Sequence, residues 1–163
     1  MEILETTNKG ASILISYKIS LDADPTEADI RVVKHHLVDF NNQHAEPEHY
    51  QPLVLFVRDT SEKIVGGLLG YTHWRWLFVQ NLWLAESLRG SGYGRKLMEL
   101  AEQEARLRGC EHAYLDTFDF QARGFYEKLG YELFGLLEDY PPGHTKYFLQ
   151  KRRLGGEDDA KAI

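Results

Sequence analysis

Residues 82–97 have the sequence LWLAESLRGSGYGRKL, which leads from an apolar segment typical of a strand into an amphipathic segment typical of a helix. The connection contains three glycines at alternate positions and two arginines. Glycine lets the backbone turn tightly, so successive N–H groups can face one point, and the N-terminus of the following helix adds partial positive charge. These residues therefore predict a cradle for an anion such as a phosphate group.

The spacing of the glycines excludes two common phosphate-binding loops. A P-loop needs four residues between its glycines and then Lys-Ser or Lys-Thr, whereas Gly94 is followed by Arg95. A dinucleotide fingerprint needs a glycine three places after Gly92, and Arg95 occupies that position. The pattern that remains is Arg/Gln-x-x-Gly-x-Gly/Ala, with Arg89, Gly92 and Gly94. It resembles the acyl-CoA pyrophosphate loop of the GNAT superfamily of N-acetyltransferases, although a plain glycine-rich turn would share part of it.

A second motif follows 28 residues after Gly94, where residues 122–131 read ARGFYEKLGY. This segment resembles the second GNAT signature, Ala-x-x-Phe-Tyr-x-x-x-Gly-Phe/Tyr, in the expected order along the chain. The likeness covers approximately residues 13–151. It implies an α/β (α+β) GNAT fold, in which a mixed, mostly antiparallel sheet contains one parallel, splayed strand pair and is flanked by helices. We expect one domain over residues 1–153 and a disordered tail over 154–163.

The hydrophobic pattern divides the chain into segments typical of strands and helices. The predicted strands are 12–19, 53–58, 64–71, 76–84, 112–118, 131–137 and 145–151. The predicted helices are 24–41, with Asp24 as N-cap, 94–109 and 121–129. Gly66 and Gly67, inside a predicted strand, indicate a bulge or a close backbone approach.

The two long predicted helices are amphipathic. The first is expected to lay its apolar residues on the sheet, namely Ile30, Val33, Leu37 and Phe40. The second is expected to bury Gly94, Leu97, Met98, Ala101 and Ala105. Its charged residues are expected to face water, namely Arg95, Lys96, Glu99, Glu102 and Arg106.

Composition narrows the class of protein. The chain has 163 residues, 43% of them hydrophobic and 27% charged, and a net charge of −6, which argues against a nucleic-acid partner. Its single cysteine, Cys110, excludes an internal disulfide and is expected to be a small buried packing residue. No targeting or membrane-spanning pattern is visible, so we expect a cytoplasmic protein without a membrane partner. The histidines around residues 35–49 lack the spacing of a metal site, and no metal is expected.

The resemblance implies that acetyl-CoA is the cosubstrate. In such a fold the backbone at the end of the predicted strand 76–84 pairs with the pantetheine arm, and the backbone of the glycine loop holds the pyrophosphate. The implied cofactor-binding residues are Leu82, Trp83, Leu84, Arg89, Gly90, Ser91, Gly92, Tyr93, Gly94, Arg95 and Asp119. Asp119 departs from the asparagine found in many relatives, a change that can alter or remove the cofactor contact at this position. Tyr126 would act as general acid toward the leaving sulfur.

The chemistry requires a proton acceptor, because only a neutral amine attacks a thioester and a lysine-like amine has a pKa of about 10.4. Glu86 and Asp116 are the candidate bases, and Asp119, His73, His144 or a water chain remain open. Cys110 lies away from both motifs. Direct attack in a ternary complex is therefore favoured over a covalent enzyme intermediate.

The family resemblance places the acceptor site in the regions 40–50 and 138–144, with Tyr50, Asp139, Tyr140 and His144 as substrate-binding candidates. Their carboxylates and aromatic rings favour a small cationic amine, although they are equally compatible with solvated loops. Two alternatives stay open, a non-catalytic acyl-CoA-binding regulatory module and an acetyltransferase that acts on protein amines. A homodimer through edge strands is a further expectation.

Overall fold

The computed structural model describes residues 17–155. The chain divides into two compact units, the first ending at Ala45 and the second beginning at Glu46, and each is described by itself. The predicted strand 12–19 lies mainly outside the described residues, and residues 17–19 are not in a strand. Leu154 is buried and its N–H donates to the Glu111 carbonyl, so the packed chain continues one residue beyond the predicted boundary. The rest of the predicted tail, residues 156–163, lies outside the described residues.

The first unit contains the helix α1, Glu27–Asn42. Its N-cap is Thr26 rather than the predicted Asp24. The Thr26 hydroxyl accepts from the Asp29 N–H at 3.2 Å, and the Asp29 carboxylate accepts in return from the Thr26 N–H at 3.3 Å. This reciprocal capping box fixes the first turn, so Pro25 stands before the helix instead of inside it. Packing of the apolar face of α1 on the sheet stays a prediction.

The described part of the second unit, residues 46–155, contains six strands and two α-helices. In chain order they are β1 (Gln51–Arg58), β2 (Ile64–His73), β3 (Trp76–Leu84), α2 (Tyr93–Leu107), β4 (His112–Phe118), α3 (Arg123–Glu127), β5 (Glu132–Glu138) and β6 (Thr145–Arg152). The strand order in the sheet is β1-β2-β3-β4-β6-β5, and only β3 and β4 run parallel. This topology confirms the predicted mixed sheet with one parallel pair. Among residues 17–155, no helix combines the length and the apolar character needed to cross a membrane.

The hydrophobic core lies between α2 and one face of the sheet. Leu68, Leu77 and Leu115 from three neighbouring strands are almost fully buried against Leu97 and Met98 of the helix. The predicted apolar face of α2 is thereby confirmed. Cys110 belongs to this core, as expected, and burial raises the pKa of its thiol.

Glu102 is the exception on α2, since it was expected to face water and is buried instead. Its carboxylate accepts a hydrogen bond from the Tyr131 hydroxyl at 3.0 Å and pairs with the Lys151 ammonium at 2.8 Å. Charged side chains are rarely buried unless they are paired. Both partners are distant in sequence, and helical periodicity alone therefore assigned Glu102 to the wrong side.

Candidate active site

The parallel strands β3 and β4 are paired over only part of their length. Backbone pairing joins Trp76–Val79 to His112–Leu115 and stops there, so the remaining parts, residues 80–84 and 116–118, border a gap. On the other side of β3, the register passes from Val79 opposite Gly70 to Asn81 opposite Leu69, which leaves Gln80 without a partner. Such a bulge bends and twists a strand. β3 therefore bends at the residue that follows its last pair with β4.

A bulge or a close backbone approach was predicted at Gly66 and Gly67, and β2 has a bulge of its own there. Against β1, Val57 lies opposite Gly66 and Arg58 lies opposite Ile64, which leaves Val65 without a partner. A side chain at Gly66 would stand 2.5 Å from Leu84, and one at Gly67 would stand 2.6 Å from the Leu55 carbonyl oxygen. Both parts of the prediction are thus confirmed, a bulge directly before Gly66 and a close backbone approach at both glycines. The two glycines let β2 fit closely against its neighbours beside the end of β3.

The glycine loop lies where β3 ends. A short 3₁₀ turn, Glu86–Leu88, leads to Gly90 and Gly92, whose φ angles of 75° and 90° are in the left-handed region that favours glycine. The Ser91 hydroxyl donates to the Leu88 carbonyl at 2.6 Å, and the Arg89 side chain donates to the Leu84 carbonyl at 3.3 Å. A side chain added at either glycine would meet open space, so a ligand can approach the backbone here.

The N-terminus of α2 has the electrostatics of an anion site. No side chain caps it, and its first turn carries no acidic residue. That turn instead contains Arg95 and Lys96, although the helix dipole favours negative charge at this end. The uncapped N–H groups and these two cations together suit a phosphate, which would satisfy both.

Gly94 brings α2 against α3. A side chain on Gly94 would lie 3.3 Å from the Phe125 ring, which is closer than ordinary van der Waals contact. The ring of Phe125 in turn lies edge-on to Tyr126, with centroids 5.0 Å apart. The close contact at Gly94 therefore links the anion loop to the helix that carries the predicted general acid.

Tyr126 is 8% exposed and belongs to the core on the α2 side of the sheet. Its hydroxyl has no hydrogen-bond partner among the described residues, and these residues include no fully buried side-chain oxygen or nitrogen without a partner, so the hydroxyl reaches solvent. Burial, and then the negative charge of Asp116, raise the pKa of Tyr126 to about 12. At neutral pH the phenol keeps its proton and can donate a hydrogen bond.

Asp116, one of the two candidate bases, lies on β4 beside the gap. Burial alternates along this strand, so that Leu115 and Thr117 face α2 while Asp116 faces the opposite side of the sheet. Its carboxylate pairs with the Lys146 ammonium of β6 at 2.9 Å. The negative charge of Asp116 also contributes to the raised pKa of Tyr126.

The other candidate bases differ in position. Glu86 is exposed in the 3₁₀ turn that follows β3. His73 lies opposite Trp76 at the start of β3, whereas the gap begins at Gln80, nearer the other end of this strand. His73 is therefore removed from the gap along the strand, and burial lowers its pKa.

Asp119 is engaged with the loop that connects β5 to β6. Its carboxylate contacts the His144 ring nitrogen Nδ1 at 3.0 Å and accepts from the Thr145 N–H at 3.2 Å. The Asp119 N–H also donates to the Thr145 carbonyl at 3.0 Å. Both carboxylate oxygens thus have partners within the chain. The predicted contact of Asp119 with the cofactor stays a prediction.

The predicted acceptor residues fall into two groups. Asp139, Tyr140 and His144 share the β5–β6 loop, where the Asp139 carboxylate accepts from the Gly143 N–H at 2.7 Å and stabilises the turn. Tyr50 lies elsewhere, with its ring 5.0 Å from that of Tyr71, which is on the part of the sheet where β3 and β4 are paired.

Sequence reasoning missed Lys146, because no local pattern signals its pairing with a residue on a different strand. The described residues contain no cluster of three or more side chains able to hold a metal.

Comparison with known proteins agrees with this geometry. The model of the Acetyltransferase (GNAT) family matches residues 19–131. An acetyltransferase of Agrobacterium fabrum is 35% identical over 131 residues, which cover 80% of this chain and 95% of that protein. The blasticidin-S acetyltransferase of Streptomyces morookaense is 44% identical over 90 residues, covering 55% of this chain and 66% of that protein, just under two thirds of its length.

A solved structure gives the same result for the fold. The crystal structure of an acetyltransferase from Bacillus cereus matches with a TM-score of 0.74 and 32% identity, over 82% of this chain and 97% of that one. The splayed strand pair, the glycine loop at its end and the second motif on α3 are thus found in a chain whose relatives are acetyltransferases. The chain belongs to the GNAT family of acetyltransferases.

Proposed function

We propose that this protein transfers an acetyl group from acetyl-CoA to the primary amine of a small molecule that is cationic in solution, by direct attack in a ternary complex. The observation that carries the proposal is the gap between β3 and β4, which has an anion loop at its end and the Tyr126 hydroxyl nearby. The non-catalytic alternative loses its support, because the family consists of acetyltransferases.

Two parts of the chain would hold acetyl-CoA. The unpaired backbone edge at Leu82 and Leu84 would bind the extended pantetheine arm as an added strand. The loop N–H groups from Arg89 to Arg95, with the side chains of those two arginines, would bind the pyrophosphate. When bound, acetyl-CoA supplies the acetyl group as a thioester. The further proposed contacts with acetyl-CoA are made by Trp83, Gly90, Ser91, Gly92, Tyr93 and Gly94.

Tyr126 would stabilise the departing sulfur. A thiol has a pKa of about 8.5 by analogy with cysteine, so full proton transfer from a phenol of pKa about 12 to a thiolate in water would cost about 5 kcal/mol. The hydroxyl therefore acts mainly as a hydrogen-bond donor, and solvent completes the protonation. This role differs in degree from that of a strong general acid.

A carboxylate would take the proton from the amine. Asp116 is supported over Glu86 by its position beside the gap and by its influence on Tyr126, whereas its pairing with Lys146 makes it a weaker base. Tyr126 lies on the α2 side and Asp116 faces the other side of the sheet, so an amine could approach from the side opposite the donor hydroxyl. Cys110 is buried in the core, which favours direct attack over acyl transfer through the enzyme.

The acceptor class rests on charge and on relatives. The net charge of −6 favours a cationic acceptor. One relative is named for blasticidin-S, which supports a small molecule as acceptor here too. The cytoplasmic location and the homodimer stay predictions.

The first experiment measures thiol release from acetyl-CoA with polyamines, amino acids, aminoglycosides and lysine peptides as acceptors. Release with one class of small amine is expected, and Tyr126→Phe should lower it about 100-fold while acetyl-CoA binding persists. Tyr114→Phe is the matched control, because burial also raises the pKa of Tyr114 to about 12 but this residue lies on the paired part of β4. Release with lysine peptides alone would favour the protein-amine alternative, and no release with bound acetyl-CoA would contradict the proposal.

A further inference from the structure

Three aromatic rings lie nearly parallel beside the gap. Phe118 ends β4, and its ring is 5.1 Å from that of Phe120 with an interplanar angle of 7°. The Tyr140 ring, from the β5–β6 loop, is 6.3 Å from Phe118 with an angle of 18°. We call Phe118, Phe120 and Tyr140 the ring shelf. Parallel rings from separate segments present flat π faces in one orientation.

Two rings of the shelf are exposed although they are aromatic. Phe120 is 59% exposed and Tyr140 is 53% exposed. Large apolar side chains that stay in solvent lose the free energy that burial would give them. An exposed pair in parallel orientation beside a substrate gap is therefore better explained by a ligand than by core packing.

The shelf is held in place by hydrogen bonds around it. Asp119 binds the His144 ring and the Thr145 N–H, and the His144 ring packs edge-on against Phe120 at 4.8 Å. The Tyr140 N–H donates to the His144 carbonyl at 2.9 Å. These contacts fix both loops that carry the exposed rings, so the rings are positioned before a ligand arrives.

The carboxylates next to the shelf already have partners. Asp116 pairs with Lys146, whose ammonium also lies 5.5 Å from the Phe118 ring and 5.7 Å from the Tyr140 ring. Asp119 accepts a hydrogen bond from the Thr145 N–H at the start of β6, and Asp139 accepts one from the Gly143 N–H of its own loop. Direct ion pairing with these three carboxylates is thus less available to an acceptor, and recognition falls to the ring faces.

We propose that the ring shelf binds a planar aromatic or heteroaromatic group of the acceptor amine. The identity of this ligand as the acceptor rests on the proposed function, whereas the binding preference itself does not. Phe118 ends the strand that borders the gap, so a ring stacked on the shelf would keep its attached amine near the thioester position. The proposal assigns a substrate class, amines that carry a flat ring, to this acetyltransferase.

The test compares benzylamine with cyclohexylmethylamine, which have similar size and charge but differ in ring planarity. Binding of each to the protein loaded with CoA is measured by calorimetry or NMR titration, so that no turnover is needed. Benzylamine is expected to bind about 3- to 10-fold more tightly. Phe120→Leu and Tyr140→Leu should each reduce that preference, and Phe134→Leu, an exposed ring on β5 outside the shelf, should preserve it.

Equal binding of the two amines to the wild-type protein would overturn the proposal, as would a preference that survives both shelf variants. Thermal unfolding of every variant checks that the fold is retained. Turnover is measured separately with both amines. A preference for the planar amine in binding without any turnover would count against the proposed function but support the ring shelf as a binding site. Turnover without that preference would support the proposed function and contradict the proposal for the ring shelf.

Discussion

The closed and open halves of the β3–β4 pair are built from the same two strands but differ in what surrounds them. In the closed half, Leu77 and Leu115 are buried in the core and the backbones pair residue by residue. In the open half, Gln80 bulges and pairing stops. Leu82 and Leu84 still pack against the core but are only partly buried, and Asp116 lies on the opposite face of the sheet. The closed half contributes mainly to stability, whereas the open half lacks backbone pairing between the two strands and leaves space for a ligand.

The two halves show that a binding gap can form between two strands of a sheet while the hydrophobic core is retained. Apart from the bulged Gln80, each strand keeps its partners on its outer side throughout the open half, β2 for β3 and β6 for β4. The gap therefore costs only the few hydrogen bonds between the two strands, each worth about 1 kcal/mol net. A ligand backbone that pairs with the open edge can restore them.

The largest expected effect is in the closed half. Leu115→Ala should lower the free energy of unfolding by about 3 kcal/mol, because a fully buried side chain is removed and leaves a cavity. Urea denaturation measures this loss. Turnover per folded molecule should change little, and a large fall in turnover at full folding would show that the two halves are not separate in role.

Alkaline pH should lower the free energy of unfolding, because the pKa of a buried tyrosine is raised in the folded state. The pKa of Tyr126 is raised from 10 to about 12 in the folded state. The contribution of this residue to the free energy of unfolding is therefore fully present below pH 10 and is lost as the pH rises from 10 to 12. The full loss is about 3 kcal/mol for that residue. Unfolding free energies of the wild-type and Tyr126→Phe proteins across this range test it. An identical decline in both proteins would show that Tyr126 is not the source.

Deletion of Gln80 should close the gap. The neighbours of Gln80 are already paired with consecutive residues of β2, so deletion removes the bulge without moving any other register. Acetyl-CoA affinity should fall about 10-fold or more, as expected for the loss of one to two backbone hydrogen bonds. Calorimetric titration measures this, with Gln80→Ala as the control that keeps the bulge. Unchanged affinity in the deletion variant would separate the bulge from the site.

The smallest expected effect concerns the anion loop. Arg89→Gln and Arg95→Gln should each weaken acetyl-CoA binding several-fold, since an exposed charge contributes about 1 kcal/mol, and the difference from wild type should shrink at high salt. Arg58→Gln, on the outer strand β1, is the matched control. Equal salt dependence in wild-type protein and loop variants would contradict the assignment of these arginines.

Local sequence signals predicted much of the fold. The strand 112–118 has the predicted bounds, because alternation and flanking turn residues mark both of its ends. The tight turn predicted from the alternating glycines is present, with left-handed φ angles at Gly90 and Gly92. The bulge at Gln80 was not predicted, since Gln80 carries no conformational signature, whereas the bulge at Val65 lies directly beside the predicted position at Gly66.

The site was harder to predict than the fold. Asp116 and Asp119 were named as functional candidates, but their partners Lys146 and His144 come from a different strand and loop, and pairing at that distance leaves no trace in local patterns. The parallel orientation of Phe118 and Phe120 likewise depends on where a turn places them. Residue types could be recognised from sequence, whereas their pairing required the sheet.

Glu102 forms buried contacts with two residues that are distant from it in the sequence. Its buried carboxylate joins α2 to Tyr131 and to Lys151 of β6. A recombinant that takes residues 131–152 from a relative without a matching tyrosine and lysine would leave a buried charge unpaired, a loss of about 3–5 kcal/mol. Crossovers between α2 and β6 are therefore tolerated only when all three residues travel as a set, which limits how chimeric enzymes of this family can be assembled.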